Sequence, residues 1–126
     1  MLPVERVVGD EGICATPGGL RLAMRLPWYR SLPFSTVEVG SLEIDGQPVD
    51  LGGAIVEYDG KSWPLSANGA QIDEFWFVRD SAFLLPPSQK AEAGTSHEVA
   101  LNLFVSPPYI PGMKRANPQT ETLIAA

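Results

Sequence analysis

Leu20, Leu22, Met24 and Leu26 are interleaved with Arg21, Ala23 and Arg25, and Val99, Leu101, Leu103 and Val105 repeat the same two-residue period. A period of two puts every apolar side chain of a segment on one face of an extended strand. No stretch sustains the 3.6-residue stripe of an amphipathic helix over three turns. Twelve glycines and twelve prolines are dispersed through the 126 residues, as befits turns between many short strands. The chain is therefore expected to form an all-β, antiparallel β-sandwich, with a small β-barrel as the alternative.

Further strands follow from the same reasoning. Val37 and Val39 change parity to Leu42 and Ile44, so a bulge is expected near Gly40-Ser41. Asp45-Gly46 reads as a hairpin turn, and Asp59-Gly60 closes a strand over 55–58. Phe75, Trp76 and Phe77 stand in succession within an expected strand over 72–78, which predicts cover on both of its faces. Strands are also expected over 82–85 and 120–124. With no linker or repeat, residues 1–126 read as a single domain of common size.

The net charge is −6, and the longest basic run is Lys114-Arg115. This argues against a nucleic-acid partner, which would need a clustered basic surface. No window approaches a membrane span. The N-terminus, "MLPVERVVGDEG", lacks the long apolar core of a signal peptide, so a cytoplasmic protein is expected.

Catalytic candidates are few. His97 is the single histidine, and in an extended chain its neighbours Ser96 and Glu98 point away from it, so a surface histidine at a strand start is expected rather than a general base. Asp45, Asp59 and Asp73 are assigned to turns and strand ends, and with Glu74 and Asp80 they show no ligand spacing. Cys14, the one cysteine, reads as a buried, inert thiol. No catalytic, cofactor-binding or metal-binding residue is expected, which leaves function to a surface.

Two loops carry that expectation. "LPWYRSLPFS" brackets Trp28, Tyr29, Arg30, Leu32 and Phe34 between Pro27 and Pro33; "SPPYIPGM" places Tyr109, Ile110, Pro111 and Met113 after another alternating strand. Proline-stiffened loops rich in aromatic side chains, Met and Arg have the composition of interface anchors. The same rings could instead fold back as lids over the ends of the sandwich.

At these loops the chain resembles the small, or beta, subunit of bacterial C-glycoside deglycosidases. "LRLAMRLPWYRSLPFSTVEVGSLEIDGQPV" is similar to the family's strand, "R-x-P-(W/Y)-Y-R-(G/S)-x-P" loop and "x-(I/L/V)-D-G" hairpin. "VEYDGKSWPLSA", "DEFWFVRDSAFL" and "GTSHEVALNLFVSPPYIPG" continue the likeness in order, so that it covers most of residues 18–124. Ser31, where glycine is common, and the prolines at 86–87 depart from the pattern without touching the two loops. The resemblance implies an accessory, β-sandwich subunit, inactive alone, of a carbon–carbon lyase. Its partner would be an alpha subunit with an isomerase-like (β/α)-barrel holding a divalent metal, manganese, and the acid/base residues. That pair would cleave the C–C bond between a 3-oxo-glycosyl ring and a polyphenol aglycone, the 3-oxo C-glycoside being bound through the complex. The rival is a non-catalytic carbohydrate-binding or protein-interaction module, with Trp28 and Tyr29 stacking on sugar.

Overall fold

The computed structural model describes residues 6–87 and 89–126; the first five residues of the N-terminal segment considered above, and Ser88, lie outside them. In chain order the strands are β1 (Val8–Thr16), β2 (Gly19–Arg25), β3 (Leu32–Pro33), β4 (Val37–Ile44), β5 (Gln47–Pro48), β6 (Ile55–Tyr58), β7 (Lys61–Pro64), β8 (Phe75–Trp76), β9 (Ser81–Leu85), β10 (Ser96–Val105) and β11 (Arg115–Ile124). One sheet has the order β1-β2-β9-β6-β7, a second the order β11-β10-β4-β5, and β3 and β8 form a separate two-stranded ribbon. All pairings are antiparallel and neither large sheet closes into a barrel.

The alternating residues point where their period requires. Leu20, Leu22 and Met24 from β2 and Val99, Leu101, Leu103 and Val105 from β10 are buried in one core. Each contributes roughly 1.5–3 kcal/mol by leaving water. Between Val39 and Ser41 the register of β4 against β10 slips by one residue, which makes Gly40 the bulge. That slip returns Leu42 and Ile44 to the face already occupied by Val37. The ring of Phe104 lies over Gly40 where a Cβ would stand, so glycine fits here for space.

Asp45-Gly46 and Asp59-Gly60 take positive φ at both positions, 55° and 79° in the first and 51° and 76° in the second. Such turns match the twist of paired strands, and they join β4 to β5 and β6 to β7. Where the two large sheets approach at one corner, the Gln119 side-chain oxygen accepts the backbone N–H groups of Val7 and Val8 at 2.7 and 3.0 Å. The C-terminus reinforces that seam, the Ala126 N–H donating to the carbonyl of Ile13.

The end of the sandwich beneath the ribbon is filled by rings. Phe34 stacks on Trp76 with centroids 5.0 Å apart and planes within 6°. It meets Tyr58 and Trp63 edge-on at 4.9 and 5.0 Å. Asn68, buried in a 3-10 segment over Leu65–Ala70, satisfies the polar atoms around them. Its oxygen accepts from the Trp63 indole, and its amide donates to the carbonyls of Phe34 and Val37 at 3.0 and 2.8 Å.

The expected strand over 72–78 is reduced to Phe75–Trp76. Trp76 turns inward and is 1% exposed, whereas Phe75 and Phe77 remain 46% and 58% exposed. One face of this segment is therefore covered and the other bare, contrary to the cover expected on both.

Candidate functional site

The two aromatic loops, 81 residues apart between Trp28 and Tyr109, meet in space. The Trp28 indole N–H donates to the Tyr109 hydroxyl at 2.6 Å, and that hydroxyl donates to Tyr29 Oη at 3.1 Å. The Trp28 and Tyr29 rings lie 5.2 Å apart, and the Arg30 guanidinium sits 5.3 Å from the centre of the Tyr109 ring. Tyr29 is held above its ordinary pKa, first by the hydrogen bond with Tyr109, with Arg30 pulling the other way. These contacts make one ridge from two distant loops.

Within that ridge the expected interface residues divide by facing. Tyr29 at 58%, Tyr109 at 45% and Ile110 at 37% are exposed, as are Arg30 and Pro111. Pro27, Trp28, Leu32 and Phe34 are buried in this chain's own core, and Met113 is half-buried against it. The reason is pairing. Leu32 stands opposite Trp76 in the β3–β8 ribbon, so both turn inward; one segment thus supplies core and surface together.

Phe75 and Phe77 extend the exposed apolar surface along the ribbon. Pro33 pairs with Phe75, and the Val78 N–H donates to Ser31 Oγ at 3.1 Å, so the ribbon runs directly into Tyr29 and Arg30. Neither phenylalanine is singled out by the sequence pattern. The signal that could have found them is the FWF run itself, which on a two-stranded ribbon with one packed face must leave alternate rings outside.

The remaining polar groups tie separate elements together. Asp45, 52 residues from His97, brings it the carboxylate that local alternation could not supply: Nδ1 of His97 donates to Asp45 Oδ2 at 2.7 Å. Nε2 pairs with Thr95 Oγ1 at 2.8 Å, and Asp45 Oδ1 accepts the Glu98 N–H at 2.9 Å. The His97 contact, then the Glu98 N–H, holds the Asp45 carboxyl below its usual pKa. This arrangement clips the β4–β5 turn to the start of β10.

A cavity of about 440 Å³ is lined by Asp10, Arg25, Tyr58, Arg79 and Asp80 among others. Tyr58 donates to Asp80 Oδ2 at 2.8 Å and accepts the Phe77 N–H at 3.0 Å. Its burial pushes its pKa up to about 12. Cys14 is half-buried rather than buried, its thiol donating to the Ala15 carbonyl. Among the described residues no group of three or more His, Cys, Asp and Glu is disposed to hold a metal ion. No helix there is long and apolar enough to cross a membrane.

Comparison with known proteins gives this geometry a context. The profile of the C-glycoside deglycosidase beta subunit family matches residues 8–109. The 3'-dehydrocarminate deglycosidase beta subunit of a Microbacterium species is 35% identical over 107 residues, covering 85% of this chain and 80% of that protein. A C-glycoside deglycosidase beta subunit of Microbacterium trichothecenolyticum is 35% identical over 111 residues, 87% of this chain and 82% of that one. One from Arthrobacter globiformis is 26% identical over 106 residues, 84% and 81% respectively.

Proposed function

This chain belongs to the family of C-glycoside deglycosidase beta subunits, and from that premise we propose that it is the accessory subunit of a two-component carbon–carbon lyase. The substrate class is a 3-oxo C-glycoside, cleaved between the sugar ring and a polyphenol aglycone. The acid/base residues and a divalent metal, manganese, belong in this proposal to the alpha subunit, an isomerase-like barrel. The described residues of this chain offer no fitting donor group for such a metal, so no step of the chemistry is routed through them.

What this chain contributes is a docking ridge. The observation that carries the proposal is the Trp28–Tyr109–Tyr29 hydrogen-bond chain, which locks two loops together while leaving Tyr29, Tyr109 and Ile110 in water. A ridge ordered before association loses less conformational entropy when it docks. A sugar-stacking module is less well supported, because of its two rings Trp28 is only 6% exposed and Tyr29 alone would face a pyranose. The cytoplasm is the proposed location, in keeping with a small-molecule catabolic enzyme.

The test is reconstitution. Aglycone release from a 3-oxo C-glycoside is measured for this chain, for the alpha subunit of the same source, and for the mixture. The mixture is expected to be active and this chain alone inactive. Turnover by this chain alone, or a mixture no faster than the alpha subunit by itself, overturns the proposal.

A further inference from the structure

We propose that Tyr29, Arg30, Phe75 and Phe77 form the seat for the catalytic subunit and that this seat receives a carboxylate of that subunit between the Tyr29 hydroxyl and the Arg30 guanidinium. The inference rests on the accessory-subunit proposal above and deepens it by giving the partner's surface a chemistry.

The carboxylate follows from a surplus of hydrogen-bond donors. An indole N–H can only donate, so the Tyr109 oxygen is the acceptor in its 2.6 Å contact with Trp28. The 3.1 Å contact between Tyr109 and Tyr29 uses one of their two hydroxyl hydrogens, which leaves the pair with one O–H donor that has no acceptor among the described residues. Arg30, beside it, brings guanidinium donors and no acceptor. Two neighbouring donor groups on an exposed aromatic ridge call for an acceptor with two oxygens, and a carboxylate meets an arginine fork bidentately.

Charge points the same way. Arg6, Arg21, Arg25, Lys61 and Lys114 each reach an acid of this chain within 4.0 Å. Among the described residues Arg30, like Arg79 and Lys90, reaches none, and of these three Arg30 is the one beside Tyr29 and Tyr109, in a chain with 15 acids and a net charge of −6. Its own cation–π contact with Tyr109 keeps it on the ridge. An arginine uncommitted to the chain's own acids is complementary to an acidic partner.

The phenylalanines supply the surrounding dry contact. With Leu32 opposite Trp76 and Pro33 opposite Phe75, the antiparallel register puts Ser31 opposite Phe77. The outward face of the ribbon therefore carries Phe75 and Phe77 and continues through Ser31 into Arg30 and Tyr29. Apolar contacts that exclude water around a central charged pair are the arrangement in which such a pair contributes most to affinity.

Titration of the wild-type catalytic subunit against Arg30→Gln, Tyr29→Phe and Phe77→Ser tests this, with Ile124→Ser as control, Ile124 being exposed (71%) and on β11 instead. Arg30→Gln and Phe77→Ser are each expected to raise Kd about 30-fold or more, and Tyr29→Phe about tenfold. The control should remain within about threefold, as expected of an exposed residue outside the seat. Wild-type affinity should fall with added salt and that dependence flatten in Arg30→Gln. Melting of each lone variant, read alongside, should stay within a few degrees of wild type. If the wild type assembles while Arg30→Gln and Phe77→Ser bind within threefold of it, the seat is elsewhere. An unchanged salt dependence in Arg30→Gln removes the carboxylate, and a homodimer of this chain disrupted by the same substitutions assigns the face to a second copy. Failure of the wild type to assemble at all instead overturns the accessory-subunit proposal.

Discussion

Trp28→Ala and Tyr29→Ala remove neighbouring rings of the same ridge, yet they should fail in different assays. Trp28 is 6% exposed and belongs to the main core, so truncation leaves a cavity that the surrounding strands cannot fully close. Large aromatic-to-alanine changes in such a site cost ~3–5 kcal/mol. In a domain of this size each kcal/mol moves the melting temperature by roughly 3–5 °C, so Trp28→Ala should melt about 10–20 °C early. Tyr29 is 58% exposed, and most of what its ring touches is solvent or Trp28. Its truncation should move melting by only a few degrees while raising the dissociation constant for the catalytic subunit roughly 30-fold or more. The assay is differential scanning calorimetry on the lone chain beside titration calorimetry of the complex. If Trp28→Ala melts within about 3 °C of wild type, the indole is not a core residue and the packing is misassigned. If Tyr29→Ala melts as early as Trp28→Ala, or assembles with unchanged affinity, Tyr29 is a lid.

Tyr58 should give the lone chain an alkaline instability. Its folded pKa is raised to about 12 from 10.0, so the stability it contributes is complete below about pH 10 and is lost as pH rises toward 12; urea titrations from pH 9 to 12 should show Tyr58→Phe with a flatter profile than wild type, and parallel profiles would refute the assignment. His97 should be dispensable for chemistry: His97→Ala is expected to leave the assembled enzyme within a few-fold of its rate, against the ~10²–10⁴-fold loss of a general base. Because His97 holds the Asp45 pKa down, the clip's stability is present above the unfolded carboxyl value and lost as pH falls through the folded one. Acid unfolding of His97→Ala should accordingly show a weaker pH dependence than wild type, and identical curves would remove the clip.

Periodicity was legible wherever one face of a strand is buried and the other wet. It located β2, β10 and, through the parity change from Val39 to Leu42, the bulge at Gly40. It had no purchase on β1 or most of β11, whose sequences VGDEGICAT and RANPQTETLI do not alternate cleanly. Those strands are set by pairing with the strand next in the chain, β1 with β2 and β11 with β10. β11 pairs along the whole of β10, and as an edge strand it tolerates Pro118, which a central strand would not. Asn68 left no signal either, since two of its hydrogen bonds go to residues more than 30 positions away that only folding brings near. The Asp45–His97 clip was missed for the same reason.

At the ridge, composition located both loops but could not say which rings face out. That choice belongs to the β3–β8 register, which turns Leu32 and Trp76 inward and leaves Phe75 outside. It follows that exposed rings and core lids are not exclusive descriptions of "LPWYRSLPFS". Trp28 does both: its ring packs in the core while its N–H holds Tyr109, and through Tyr109 the exposed Tyr29. A surface ring fixed to a buried one inherits the order of the core. The exposed rings are therefore held in place where a free loop of the same composition would have to be ordered, and in the docking proposed above the cost of that ordering would fall on folding rather than on association.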